Sequence, residues 1–332
     1  MLETSPGTVD FHTHYIDSDL AGLELAGCVH FTRTGPDAGD LHRDGRHYRA
    51  LDARSWDLER RIDDMDRNGV SLQVLSAIPV TLGYDAPAAL AAASARVQND
   101  ALAAVVRRRP DRFAALGVVP LQDVDLACAE LERLIQTLGL AGVEIGTTVG
   151  GRELDDPALD PFWERCEALQ ALVFIHPESA PGFDRLRKRM LVVSTGYPSE
   201  TGIAAAAILT SGLLERRTLR IVLAHGGGTL PYLLPRLDRL WDMSEVARAS
   251  SSRPSTIAKR FYCDALTFDP TNLALVIERI GGDRVLVGSD YPFSIMEDPP
   301  GAATEGFDDA TRRALRFDNA RQLLRLAGQP VR

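Results

Sequence analysis

The chemistry of this chain begins with two histidines one residue apart, His12 and His14, in Thr8-Val9-Asp10-Phe11-His12-Thr13-His14. Val9 and Phe11 read as one face of a short strand. Strand side chains alternate, so both imidazoles fall on the other face, where they can converge on a single cation. Neutral imidazole is a favoured ligand for zinc and similar divalent metals. Three later groups add weight to the pair. His176 ends the run Ala171-Leu172-Val173-Phe174-Ile175. His225 ends Leu219-Arg220-Ile221-Val222-Leu223-Ala224. Asp290 follows Val285-Leu286-Val287-Gly288-Ser289. Each stands at the carboxyl end of a strand-like segment.

Strand ends far apart in sequence can act together only if the fold gathers them. From Trp56 onward the pattern alternates regularly. Strands are expected at 70–80, 113–121, 142–147, 171–176, 219–225, 261–267 and 284–288. Helices are expected at 57–68, 87–109, 124–138, 161–169, from 202 to 211, from Pro231 to about 239, at 271–280 and at 308–326. Gly69 closes the first helix as a C-cap, and Pro231 takes a first helical position. With the strand at the start, this makes eight strands, most of them separated by helices. That count predicts an α/β fold, a closed (β/α)8 barrel, whose active site lies at the carboxyl ends of the strands. No Gly-x-Gly-x-x-Gly fingerprint supports the rival open, doubly wound sheet. Residues 16–55 are rich in Gly, Asp, Arg and His and lack sustained periodicity. A stretch of that length reads as a lid inserted after the first strand, with a short strand fitting Gly27 to Phe31. The expected organisation is one barrel domain over residues 1–332, with 16–55 as the insertion.

The 332 residues are 45% hydrophobic and 25% charged, ordinary for a globular chain able to bury a sizeable core. The net charge of −9 argues against nucleic acid or an anionic membrane as the main partner. Local arginines still allow an anionic small substrate. Cys28, Cys128, Cys166 and Cys263 are scattered, without a C-x-x-C pair, and read as reduced thiols. No run approaches the roughly 20 apolar residues that span a bilayer. The expectation is a soluble, cytoplasmic protein.

The segments VDFHTH, FIHPES, VLAHGGGTLPYLLPR and VLVGSDYPF resemble the signature segments of the amidohydrolase superfamily. The similarity is to its 2-amino-3-carboxymuconate-6-semialdehyde decarboxylase-like branch. It extends to Trp56-Asp57, the LSAIPV strand and the FAALGVVPLQ strand, and so covers most of the chain. The resemblance implies a (β/α)8 barrel with one divalent metal, usually zinc, with manganese, cobalt and iron as alternatives. Carried over by residue, it makes His12, His14, His176 and Asp290 the metal ligands and His225 the catalytic histidine, with Asp290 or His225 managing the proton. It also makes Arg236 an arginine that reaches a substrate carboxylate across a homodimer interface, and Phe293 a wall of the pocket. Alone, Arg236 reads equally as a solvated helix residue, and Phe293 as ordinary core.

One position departs from that pattern. The resembling decarboxylases carry an arginine where this chain has Asp52, with Arg49 and Arg54 on either side as substitutes. Arg46, His30, His42 and His47 share this insertion and read as a solvated face. Glu144 stands on the fourth strand, where other amidohydrolases bridge a second metal, and Glu178 lies two residues past His176. One metal is the expectation. Gly226, Gly227 and Gly228 allow close backbone approach before a helix whose N-terminus favours a carboxylate. The reaction expected is non-oxidative decarboxylation of a small unsaturated or aromatic carboxylate. The alternative on the same scaffold is metal-dependent hydrolysis or hydration of a lactone, amide or unsaturated acid.

Overall fold

The computed structural model describes residues 7–17, 29–43, 45–180 and 182–329; Cys28 and the first part of the strand expected at 27–31 lie outside them. β1 (Thr8–Tyr15) is followed by an inserted antiparallel sheet of β2 (Val29–Arg33), β3 (Ala38–Arg43) and β4 (Arg46–Asp52). The main sheet resumes with β5 (Val70–Ala77), β6 (Phe113–Gly117) and β7 (Gly142–Ile145). After a small hairpin, β8 (Thr148–Val149) and β9 (Arg152–Glu153), come β10 (Leu172–Ile175), β11 (Arg220–Leu223), β12 (Tyr262–Asp264) and β13 (Val285–Leu286). The main sheet has eight strands in the order β1-β5-β6-β7-β10-β11-β12-β13, all parallel. Phe11 N bonds to Val287 O at 2.8 Å, Asp290 N to His12 O at 2.9 Å, and His14 N to Tyr291 O at 2.7 Å. These contacts bring the last strand back to the first and nearly close the barrel.

Helices follow the strands and cover the sheet from outside, among them Leu58–Arg67, Ala88–Arg108, Tyr197–Thr210, Leu230–Met243 and Pro270–Ile280. Alternate residues serve the two sides. Leu75, Val143, Val173, Ile221 and Val285 pack toward the helices, whereas Leu72, Val74, Leu116, Phe174, Val222 and Leu286 share the inner cluster. The last helix, Asn319–Leu326, sends Ala320, Leu323 and Leu324 into the inner cluster, at the end of the barrel where the strands begin. That leaves the other end open for a site.

Four expectations change in detail. The register of β1 against β5 slips between Asp10 and Thr13. Strict alternation puts Phe11 opposite His12, but both rings pack on Phe174, at centroid distances of 6.0 and 5.0 Å. An irregularity in a strand resets which way later side chains point. The segment expected as an irregular lid with one short strand carries, among the described residues, the three-stranded β2–β3–β4 sheet. Its strands each turn few apolar residues inward, chiefly Phe31, Leu41 and Leu51, which pack with Ala53, Trp56, Ile16, Ile78 and Val80. The helix expected at 308–326 is interrupted by a wider π-type turn at Ala314–Asp318, and the one expected from 202 begins at Tyr197.

Candidate active site

His12 and His14 leave β1, His176 follows β10, His225 follows β11 and Asp290 follows β13, all at carboxyl ends of strands. His12, His14, His176 and Asp290 are buried, and one ligand atom from each lies within 4.8 Å of all the others. The histidines are oriented from behind. His12 Nδ1 is 2.7 Å from Asp264 Oδ2, His14 Nδ1 2.7 Å from Ala77 O, and His176 Nδ1 3.0 Å from Pro177 O. An acceptor on each Nδ1 makes that nitrogen the protonated one, so in the neutral ring each Nε2 offers a lone pair. His12 Nε2 and His14 Nε2 face each other at 3.2 Å. His176 Nε2 is buried without a hydrogen-bond partner, and Asp290 Oδ1, which also lacks a directed hydrogen bond, lies 3.1 Å from His14 Nε2. Lone pairs that crowd together unpaired in a buried site fit a divalent cation at their centre.

Electrostatics support the same arrangement. Burial pushes the His14 and His176 imidazoles below their usual range, and neighbouring histidines add to the effect, so both favour the neutral, ligating form. Burial opposes ionisation of Asp290, but its contact with His14 outweighs this and holds the carboxyl below the usual carboxylate range. His225 rests 5.1 Å from His176 and 5.4 Å from His12 between ring centroids, and its Nδ1 has no partner. Burial, reinforced by His12, pushes its pKa down to about 4.

A second layer fixes these groups, and its main member escaped the sequence reading. Asp264, at the end of β12, accepts from His12 Nδ1 and from the backbone nitrogens of His225 (2.9 Å), Gly226 (2.7 Å) and Leu266 (3.1 Å). One carboxylate thus orients a ligand and the turn that presents His225. The strand expected at 261–267 stops at Asp264 in the structure, so from sequence this aspartate reads as a mid-strand residue with no strand-end signal. Arg61, from the Leu58–Arg67 helix, is completely buried and donates to the His14 carbonyl at 2.5 Å and to Gln73 Oε1 at 3.1 Å. Asp10 accepts from Ser289 N at 3.0 Å and Ser289 Oγ at 2.6 Å, tying β1 to the segment that carries Asp290. His225 and Asp290 both take left-handed backbone angles, with φ of 57° and 66°. Such angles are costly for side-chain-bearing residues and persist where the surroundings enforce them. Gly288 is required by space: a Cβ there would lie 2.6 Å from His12 Cβ.

Above the ligands opens a cavity of ≈ 500 Å³. His176, His225 and Asp290 line its base, Phe293, Ile78 and Val80 its sides, and Gly228, Thr229 and Pro231 the start of the Leu230–Met243 helix. Phe293 stacks on His14 with ring centroids 5.0 Å apart. From the inserted sheet, Tyr48 and Arg49 reach the cavity, with the Arg49 guanidinium 4.2 Å above the Phe293 ring. The other residues expected to touch substrate are placed elsewhere. Asp52 caps the turn Ala53–Ser55 and pairs with Arg54 at 2.7 Å, and neither lines the cavity. Arg236 is exposed on its helix and also lies off the lining. Glu178 does line the cavity, where burial raises its pKa to about 7 against the pull of Arg43. Glu144 is fully buried, with both carboxylate oxygens unpartnered; burial, then the charge of Asp290, pushes its pKa far up.

Comparison with known proteins agrees with this construction. The family model described as amidohydrolase matches residues 9–326. The chain is 34% identical over 328 residues to the 2-amino-3-carboxymuconate-6-semialdehyde decarboxylase of Dictyostelium discoideum, covering 96% of this chain and 91% of that protein. Its structure resembles that of 5-carboxyvanillate decarboxylase LigW from Sphingomonas paucimobilis, with a TM-score of 0.82, 26% identity and coverage of 97% of this chain and 99% of the other. It also resembles the dihydroxybenzoic acid decarboxylase of Polaromonas sp. JS666, solved with manganese and the inhibitor 2-nitroresorcinol. There the TM-score is 0.79 and the identity 25%, with 96% and 97% of the two chains covered. The chain belongs to the amidohydrolase family, as one of its metal-dependent, non-oxidative decarboxylases. Among the described residues, no helix is long and apolar enough to cross a membrane.

Proposed function

We propose that this decarboxylase acts on a small aromatic or unsaturated carboxylic acid bound in the cavity above His12, His14, His176 and Asp290. The observation that carries the reading is the set of unpartnered ligand atoms, above all His176 Nε2 and Asp290 Oδ1, at the base of a cavity with one aromatic wall. Those four residues would hold one divalent metal, which when bound supplies Lewis acidity toward a substrate oxygen and lowers the pKa of a bound water. Zinc suits three imidazoles and a carboxylate, and manganese is the metal of the Polaromonas neighbour.

The chain's own residues do the rest. Phe293 covers the flat face of an unsaturated substrate. Arg49 places a planar guanidinium where it can pair with a carboxylate, and the start of the Leu230–Met243 helix favours negative charge nearby. His225 is neutral at rest and its Nδ1 has no partner, so it can take a proton and return it to the carbon bearing the carboxylate. Once that carbon is protonated, the electron pair of the C–CO2 bond returns to the π system and carbon dioxide leaves. One proton is consumed per turnover, and no redox cofactor takes part.

The active form in this reading is a homodimer. The Leu230–Met243 helix places Pro231 and Tyr232 on the cavity lining, and further along exposes Arg236, Leu240 and Met243. Arg236 lies outside its own cavity and is available to a second copy's. Sedimentation of wild type and Arg236→Ala, with activity measured across protein concentration, tests this.

The main test is a screen of carboxylated muconates, salicylates and related aromatic acids for carbon dioxide release by the zinc- or manganese-loaded enzyme. It is run beside His225→Ala. Carbon dioxide release that falls by about 10²–10⁴-fold in the variant, with metal content unchanged, supports the assignment. Undiminished release by His225→Ala, or release by no acid in the screen, overturns it.

A further inference from the structure

The inserted sheet carries a row of imidazole side chains that the barrel site does not use. Phe31, Leu41 and Leu51 point to the apolar side of this sheet. The alternating positions carry His30, Thr32, Asp40 and His42. In the strand register His30 stands opposite His42, and His42 opposite His47, so three imidazoles cross β2, β3 and β4 in one row. The ring centroids of His30 and His42 are 6.5 Å apart, and those of His42 and His47 are 5.7 Å apart. His47 Nε2 lies 3.1 Å from Asp40 Oδ1, which adds a carboxylate to the row. His30 Nδ1 and His42 Nδ1 are buried and have no hydrogen-bond partner.

We propose that His30, His42 and His47, with Asp40, form a second divalent-cation site on the inserted sheet. Directly opposed strand residues have Cβ atoms about 4.5–5.5 Å apart, within which neighbouring imidazoles reach a common ion. Three imidazoles and a carboxylate are a donor set that binds zinc and its neighbours in the first transition row. Buried ring nitrogens with no partner are the atoms a cation would satisfy. The donors do not yet meet at one point. His47 leans on Asp40, and His30 Nε2 sits 2.8 Å from Thr32 Oγ1. Ordinary side-chain rotations release both. Arg43, beside His42 on the same strand, is already paired with Asp85. A cation here would staple three strands together. β4 also carries Tyr48 and Arg49 to the cavity, so the staple would stiffen the wall that meets substrate.

The test is equilibrium dialysis of tag-free enzyme against excess Zn2+, followed by elemental analysis, with variants at each site. Wild type is expected to hold about one zinc per chain more than His42→Ala, and His12→Ala to keep this second zinc while losing the barrel metal. If His42→Ala fails to fold, judged by circular dichroism, the exposed His47→Gln replaces it with the same expected loss. Wild-type zinc content in His42→Ala or His47→Gln overturns the proposal, as does a wild type that takes up no zinc beyond the barrel site. Both arms read stoichiometry and stand whatever acid the enzyme decarboxylates.

Discussion

The base of the cavity and the inserted sheet reach the same space with side chains held in opposite ways. At the base, His12, His14, His176 and Asp290 are almost wholly buried. They stand at the ends of β1, β10 and β13 of one parallel sheet, and Asp264, Ala77 and Pro177 accept from the histidines' outward nitrogens. In the inserted sheet, Arg49 is half-buried and held by ring contacts with Tyr48 and Phe293, while Asp52 and Arg54 pair in solvent. Interlocked strands fix a ligand to fractions of an ångström, which metal chemistry requires. A small antiparallel sheet fixes less and varies more easily. In the proposed function this difference gives the chemistry to the barrel and the choice of substrate to the insertion.

Removing a barrel ligand should therefore have the largest effect. His176→Ala is expected to lose bound metal and, with it, about a thousandfold or more of carbon dioxide release, since Lewis acid assistance is worth several kcal/mol. Normal metal content in this variant would remove His176 from the site. Next comes the residue behind the ligands. Asp264→Asn keeps the shape but cannot match the donors of His12, His225, Gly226 and Leu266 with two acceptor oxygens. Loss of a partner of this kind typically costs about 10–100-fold in metal affinity or activity. Titration with a metal chelator measures it. A variant as resistant to chelation as wild type would mean that β1 alone orients His12.

The two regions also differed in how far their sequence could be read. Histidines at strand ends stand out because imidazole is scarce and each one closes an apolar run. Asp264 fell in the middle of the strand expected at 261–267, which in the structure ends at Asp264 itself, and its partners lie up to 252 positions away in the chain. The irregular register of β1 was also hidden, because a slip in pairing leaves no mark in residue type. The inserted sheet was legible only as an irregular lid with one short strand near 27–31, since its strands turn so few apolar residues inward that no periodic signal builds up. Its cross-strand histidine row is visible only once the register is known. Arg49 and Arg54 were equivalent as sequence neighbours of the arginine missing at Asp52; in the structure Arg49 lines the cavity, whereas Arg54 pairs with Asp52 away from it.

That separation gives a graded pair of predictions within the insertion. Arg49→Ala should raise KM for the acid by about 10–100-fold, the worth of a hydrogen bond to a charged group, with metal content unchanged. Arg49→Lys should recover part of it, because a point charge replaces the planar fork. An unchanged KM would move substrate recognition off this sheet.

The smallest effect is expected at Asp52. Burial tends to raise its pKa, but hydrogen bonds from Arg54 prevail and hold it below the usual carboxylate value. A carboxyl depressed in the folded state binds fewer protons there than when unfolded. Its contribution is therefore present above the ordinary pKa of 3.8 and fades as pH falls through the lower, folded value. The pair is partly exposed, at 33% and 48% for the two side chains, so screening keeps the contribution below about 1 kcal/mol. Asp52→Asn should lower the denaturation midpoint slightly at neutral pH, flatten the loss of stability below pH about 4, and leave kcat/KM alone. A drop in kcat/KM comparable to that of Arg49→Ala would erase the distinction between an arginine that faces substrate and a neighbouring pair that only shapes the turn.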